Sequence, residues 1–192
     1  HGDLLFDHGF CNKEERHYDA CIRVPLIVRG PDLKKKGLEV EKFVQHEDIC
    51  PTVLDMASLS FPDMPKQGPY LDEEPGEIET MAGSSLLDLC RGGKPEAWRE
   101  AAYSESYNYI GSNDPGDWAR TVRTDRYRYT YYPRGNGEQL FDLKEDPQEV
   151  NNLVGDSGYQ SIRNELRDIL IERIIMQDFP KTRRDLFALG VH

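Results

Sequence analysis

A chain of 192 residues, 38% hydrophobic and 31% charged, is long enough to bury a core as one large domain or two small ones. Its net charge of −11 argues against a nucleic-acid partner or an anionic membrane surface, since both would repel it at long range. No apolar run approaches the length of a bilayer span, and Cys11, Cys21, Cys50 and Cys90 show neither a C-x-x-C pair nor zinc-finger spacing to histidine, so they read as buried free thiols.

The first element is HGDLLFDHGF, which lacks an initiator Met and reads as a processed chain or a piece of a longer protein. His1, Asp3, Asp7, His8, Lys13 and His17 concentrate there. Neutral imidazole and carboxylate are ordinary ligands for a divalent cation, and a lysine is a mobile point charge for an anion, although such spacing taken alone is more often plain surface. Next comes RVPLIVRG, Arg23 to Gly30, β-branched and ending at Gly-Pro, the pattern of a strand buried on both faces of an α/β sheet. Lys34, Lys35 and Lys36 then read as a solvated loop. QHEDICPTVLDMASL predicts a helix with Asp48 as its N-cap, Pro51 in the first turn, and Ile49, Val53, Leu54 and Ala57 at helical spacing.

Residues 60–83, rich in Pro, Gly and acids, form a long loop or linker, and SSLLDLCRG offers one helical turn. The character then changes. AAYSESYNYI, DWARTVRT, DRYRYTYY and EQLFDL are short aromatic and β-branched runs between turn formers, an antiparallel meander in which TVRTDRYRYTYY reads as two strands closed by Thr124-Asp125 or equally as one bent strand. After Asp146-Pro147 a helix from about Gly158 to Gln177 carries Ile162, Leu166, Ile169, Leu170 and Ile174 as a stripe that should cover one face of the meander. The tail KTRRDLFALGVH has one apolar patch, Leu186-Phe187, able to dock back.

HGDLLFDHGFCNK followed by HYDACIRVPLIVRGP resembles the type I sulfatase family of the alkaline-phosphatase superfamily, in the C-terminal part of its catalytic domain. DICPTVLDMA (Asp48–Ala57) is similar to that family's Asp-x-x-Pro-Thr helix. GSSLLDL (Gly83–Leu89) is similar to its Gly-x-Ser-Leu element, and QLFDLKEDPQEVNNL (Gln139–Leu153) to its Asp-Pro-x-Glu-x-x-Asn-Leu signature. The blocks stand in the family order.

The resemblance implies that His1 is the second member of an Asp-His metal pair whose Asp would directly precede it, that Lys13 contacts the sulfate, and that His8 lines the pocket. It implies structural roles for Arg23, at the start of the strand, and for Asp142, Asp146, Glu149 and Asn152, at the turn before the last helix. No C/S-x-P-x-R motif occurs in the chain. No catalytic residue is therefore expected within it, the formylglycine nucleophile is expected upstream, and the polypeptide alone is expected to lack turnover. The implied metal is Ca2+, with Mn2+ or Mg2+ as alternatives. The implied function is hydrolysis of sulfate esters in a sulfated small molecule or sulfated glycan.

Two alternatives stand beside it. One is a phosphonate monoester or phosphodiester hydrolase of the same superfamily, to which His rather than Asn at position 1 gives weight. The other is a non-catalytic sugar-binding module that stacks the tyrosines at 103, 107, 109, 127, 129, 131 and 132 on sugars. The implied fold is α/β: the C-terminal part of an alkaline-phosphatase-like catalytic domain with its long loop (1–95), then a small α+β subdomain with a four-stranded antiparallel sheet and a C-terminal helix (96–192). A parallel sheet lacking its other strands would leave an edge and an apolar helix face exposed before about residue 60. The residues select neither an oligomeric state nor a compartment, whether periplasmic, secreted or cytoplasmic.

Overall fold

A computed structural model describes residues 2–13, 16–31, 33, 37–59, 83–106, 118–133 and 137–178. Its contacts separate two units, one formed by residues 1–29 with 98–173, the other by 30–97 with 174–192.

The first unit is built on a sheet of four antiparallel strands in the order β1 (Ala102–Ser106), β2 (Ala119–Arg123), β3 (Tyr127–Tyr132) and β4 (Gly137–Asp142). The turn expected at Thr124-Asp125 is there: Thr124 N–H donates to the Tyr127 carbonyl at 2.8 Å and the Tyr127 N–H returns to Thr124 Oγ1 at 3.0 Å. Register places Tyr103, Val122, Tyr129 and Leu140 in one cross-strand row, and Ser104, Thr121, Thr130 and Gln139 in the row on the opposite face. Arg128, Tyr129 and Thr130 are consecutive and all fully buried, so both faces of the sheet are covered.

Helix α4 (Gln160–Asp178) covers the row of Tyr103 and Tyr129. It is entered through a 3-10 turn in which the Asp156 carboxylate accepts the Gly158 N–H at 2.8 Å. Leu166 and Leu170 are buried, with Ile162 and Ile169 half-buried beside them. Two arginines fix how the helix crosses: Arg163 grips Glu138 on β4 with two bonds of 2.7 Å, and the Arg173 guanidinium lies 5.7 Å from the Tyr103 ring on β1. Thus the apolar stripe read in the sequence does the expected work. Tyr129 is buried in this packing and Tyr132 on the opposite face of the sheet, which withdraws both from sugar stacking; Tyr107 and Tyr109 lie outside the described residues.

The opposite face is covered by the N-terminal segment, including the one-turn helix α1 (Asp19–Ile22). Asp19 accepts a bidentate pair from Arg123, with Nε at 2.9 Å and Nη2 at 3.0 Å.

Arg23–Gly30 departs from expectation. It forms no strand among the described residues, and Leu26, Ile27 and Val28 are exposed, Ile27 to 89%. A strand needs a neighbour to accept its N–H groups, and no described segment pairs with this one. The Arg23 side chain is likewise exposed, with the Asp19 carboxylate 4.0 Å from its guanidinium. The cysteines are all free, as read, but only Cys21 is buried, while Cys11 and Cys50 are exposed.

In the second unit, helix α2 (Ile49–Met56) appears where Pro51 placed it, and α3 (Leu87–Cys90) is the expected single turn. Asp48 stands at the N-cap position of α2, as expected, but its side chain makes no cap bond to that helix. It closes a capping box from Gln45, accepting the Gln45 N–H at 2.7 Å, because the helix is preceded by a 3-10 turn over His46–Asp48. Its other oxygen accepts the Ser84 N–H at 2.8 Å, and Thr52 Oγ1 accepts the Leu86 N–H at 2.8 Å. A Cβ on Gly83 would stand 2.0 Å from the Glu47 carbonyl oxygen, so only glycine permits this approach. The Asp-x-x-Pro-Thr and Gly-x-Ser-Leu blocks are therefore two sides of one knot. Ile49 and Val53 on α2 are exposed, the open apolar helix face expected before about residue 60.

Candidate anion-binding loop

Residues 2–13 form a tight loop. The Gly2 N–H donates to the Cys21 carbonyl at 2.9 Å, the Leu5 N–H to the Cys11 carbonyl at 3.1 Å, and the Phe6 N–H to the Phe10 carbonyl at 2.7 Å. Its tip is strained, because Leu5, Phe6 and His8 have φ of 50°, 75° and 51° without being glycine. Each costs about 1–3 kcal/mol, and such residues persist where surrounding contacts over-determine them. Here the contacts are the buried Leu4 side chain and the Asp7 carboxylate, which accepts the His8 N–H at 3.0 Å.

His8 lies at that tip with its ring stacked on Tyr18, centroids 3.7 Å apart and planes 11° from parallel. Its Nε2 is 4.0 Å from an Asp7 carboxylate oxygen. Lys13 is on the exposed base of the loop, where its N–H donates to Asp3 Oδ1 at 3.2 Å. The loop thus ties the backbone of Lys13 to Asp3, two positions after His1. His1 itself lies outside the described residues. Among the described residues no group of three or more His, Cys, Asp or Glu side chains gathers as a metal site. A calcium ion takes six to eight oxygens, so these residues do not by themselves suit it.

His17, close in sequence to this cluster, is directed elsewhere. Nδ1 meets Thr121 Oγ1 at 2.8 Å and Nε2 meets Ser106 Oγ at 2.9 Å. Thr121 Oγ1 is 2.7 Å from Thr130 Oγ1, which accepts from Arg128 Nη1 at 2.6 Å. Burial, and then the nearby Arg128 charge, hold the His17 imidazole down at about 4, so it is neutral and built into the sheet face.

Arg128 is the residue sequence reading missed. It has no solvent exposure, pairs through Nε with the Glu149 carboxylate, and places Cζ 5.2 Å from the Tyr18 ring and 4.8 Å from the Phe141 ring. The signal was there in DRYRYTYY, where period-two alternation sets Arg128 on the same face as Thr130 and Tyr132. Glu149 has φ 57° and also accepts the Asp19 N–H at 2.7 Å. Around it, Asp146 Oδ2 accepts the Asn151 N–H at 2.8 Å, and Asn152 ties the Leu140 N–H (2.9 Å) to the Glu138 carbonyl (3.1 Å). Asp142 accepts from Arg126 at 2.8 Å, which holds its carboxyl below the usual range.

A family model described as N-sulphoglucosamine sulphohydrolase, C-terminal, matches residues 6–176. The chain belongs to the type I sulfatase family. It is 34% identical over 179 residues to the Delta 4,5-hexuronate-2-O-sulfatase of Bacteroides thetaiotaomicron, covering 91% of this chain and 33% of that protein. A crystal structure of a presumed sulfatase from the same organism superposes with a TM-score of 0.73 at 32% identity, over 92% of this chain and 35% of that one. A phosphonate monoester hydrolase from Silicibacter pomeroyi superposes with a TM-score of 0.72 at 24% identity, over 95% of this chain and 34% of that one, a likeness of fold alone. The chain spans about a third of the length of the curated relatives it matches. Family membership makes the four-stranded sheet and its helix the expected C-terminal architecture and sets the signature residues in a family of sulfuric ester hydrolases.

Proposed function

We propose that this chain supplies the anion-binding loop of a sulfate-ester hydrolase, with Lys13 and His8 at the substrate and His1 as a metal ligand. The observation that carries this reading is the family match over residues 6–176, which contains His8 and Lys13 in one closed loop. A sulfate ester has no proton to lose, and its hydrolysis develops charge on non-bridging oxygens, so a preorganised cation is the main thing a protein can offer. Lys13, at the exposed loop base with its backbone N–H tied to Asp3, is suited to that as a compact ammonium charge. His8, held edge-on by the stack, is suited to donate a hydrogen bond. The described side chains hold no complete metal site; the divalent cation, Ca2+ ahead of Mn2+ or Mg2+, and the formylglycine nucleophile belong to the proposal through residues beyond them.

A sulfated glycan is the favoured substrate class over a simple aryl ester, in line with the hexuronate sulfate named for the Bacteroides relative. A phosphonate monoester or phosphodiester is the second reading, favoured by His at position 1.

The test is a side-by-side rate. The protein produced from its complete gene is assayed on 4-nitrophenyl sulfate and on a 4-nitrophenyl phosphonate monoester. Faster turnover of the sulfate supports the reading, and turnover of the phosphonate alone overturns it in favour of the second.

A further inference from the structure

We propose that Tyr18 and Arg128 are positioning residues for His8, so that the Asp146–Glu149 turn, acting through Arg128, sets the orientation of an imidazole in the anion-binding loop. This deepens the sulfate-ester reading and rests on it.

An imidazole on a surface loop turns freely about its side-chain bonds and meets an anion in the right orientation only part of the time. Stacking at 3.7 Å and 11° removes that freedom while leaving the ring nitrogens, which lie in the ring edge, open to hydrogen bonding. The stack is useful only if Tyr18 is itself held. Arg128 Cζ lies 5.2 Å from the Tyr18 centroid, and Phe141 stands 6.1 Å from it at 56°.

Arg128 in turn has no freedom of its own. It is sealed from solvent, bound through Nε to Glu149 and through Nη1 to Thr130, while its buried Nη2 has no hydrogen-bond partner among the described residues. No polar group competes for that edge, which leaves the cation facing the two aromatic rings. Glu149 grips both sides of Tyr18: one oxygen holds Arg128, and the other holds the N–H of Asp19, the residue after Tyr18. It does so from a left-handed backbone at φ 57°. A strained residue whose two carboxylate oxygens fix the support of a substrate-loop ring is placed for positioning, not for turn formation alone.

Sulfate titration of the protein produced from its complete gene, followed by NMR of the imidazole and ammonium signals, tests this. The proposal expects His8 ring protons shifted upfield by the Tyr18 ring, and ring-to-ring NOEs that persist at saturating sulfate. It expects sulfate affinity about fivefold weaker in Tyr18→Leu and within about twofold of wild type in Tyr18→Phe, which keeps the stack. Affinity unchanged in Tyr18→Leu, with a Lys13 response intact, overturns the positioning role and leaves the sulfate reading standing. No response at Lys13 or His8 in the unsubstituted chain overturns the sulfate reading and the proposal with it. Should Tyr18→Leu fail to fold, the NOEs decide: their loss on adding sulfate to the unsubstituted chain overturns the proposal.

Discussion

Arg128 and Glu149 form an ion pair inside the first unit, with side chains 0% and 3% exposed, between the start of β3 and a strained turn 21 residues later. The pair joins three parts of the fold: the sheet, the turn before α4, and the start of α1 through the Asp19 N–H. Removing one member leaves the other charged, buried and uncompensated, which is far more costly than losing a surface pair.

Glu149→Gln therefore lowers the stability of the chain by roughly 3 kcal/mol, the scale for breaking a buried pair. Urea unfolding monitored through the sheet tyrosines measures it. A loss below about 1 kcal/mol would mean that the pair is not closed to water.

His17 carries a pH dependence of definite sign. Its folded pKa is depressed to about 4 from 6.5, so the unfolded chain takes up a proton first as pH falls. The stability due to neutral His17 is complete above about 6.5 and is lost progressively down to about 4, amounting to roughly 3 kcal/mol. Glu138 and Asp142, held below their usual range by Arg163 and Arg126, lose their contributions lower, as pH falls past about 4. Unfolding curves between pH 7 and 4 should therefore show a slope that His17→Asn removes; equal slopes in both proteins would contradict the assignment.

Gly83→Ala should loosen the second unit, because the new methyl would meet backbone rather than a movable side chain, with a Cβ 2.7 Å from the Asp48 nitrogen. Amide exchange reports it at Ser84 and Leu86, whose N–H groups bind Asp48 and Thr52. Protection there should fall by at least about tenfold, the equivalent of 1.4 kcal/mol. Unchanged protection would show that the approach is not tight.

Much of the sheet and of α4 was legible because their partners are local in sequence: consecutive strands pair, and Leu166 and Leu170 follow the helical period. Arg23–Gly30 was misread for the opposite reason. Its composition suits a strand, but a strand is defined by neighbours, and periodicity carries no record of them. At Asp48 the position was legible but the bonding was not: a 3-10 entry precedes α2, so the Asp48 carboxylate turns back to Gln45, which is not a usual capping residue. Of the candidate site, His8 and Lys13 were legible as residues, whereas the stack on Tyr18 and its support by Arg128 join positions too distant for any spacing rule.

Lys13 tests the account of the loop most directly. In the protein produced from its complete gene, Lys13→Ala is expected to lower kcat/KM on 4-nitrophenyl sulfate by roughly 100-fold or more, the scale for removing a preorganised stabilising charge, with the melting temperature unchanged because the side chain is exposed. A kcat/KM within about threefold of wild type would remove Lys13 from the substrate and contradict the anion-binding assignment of the loop.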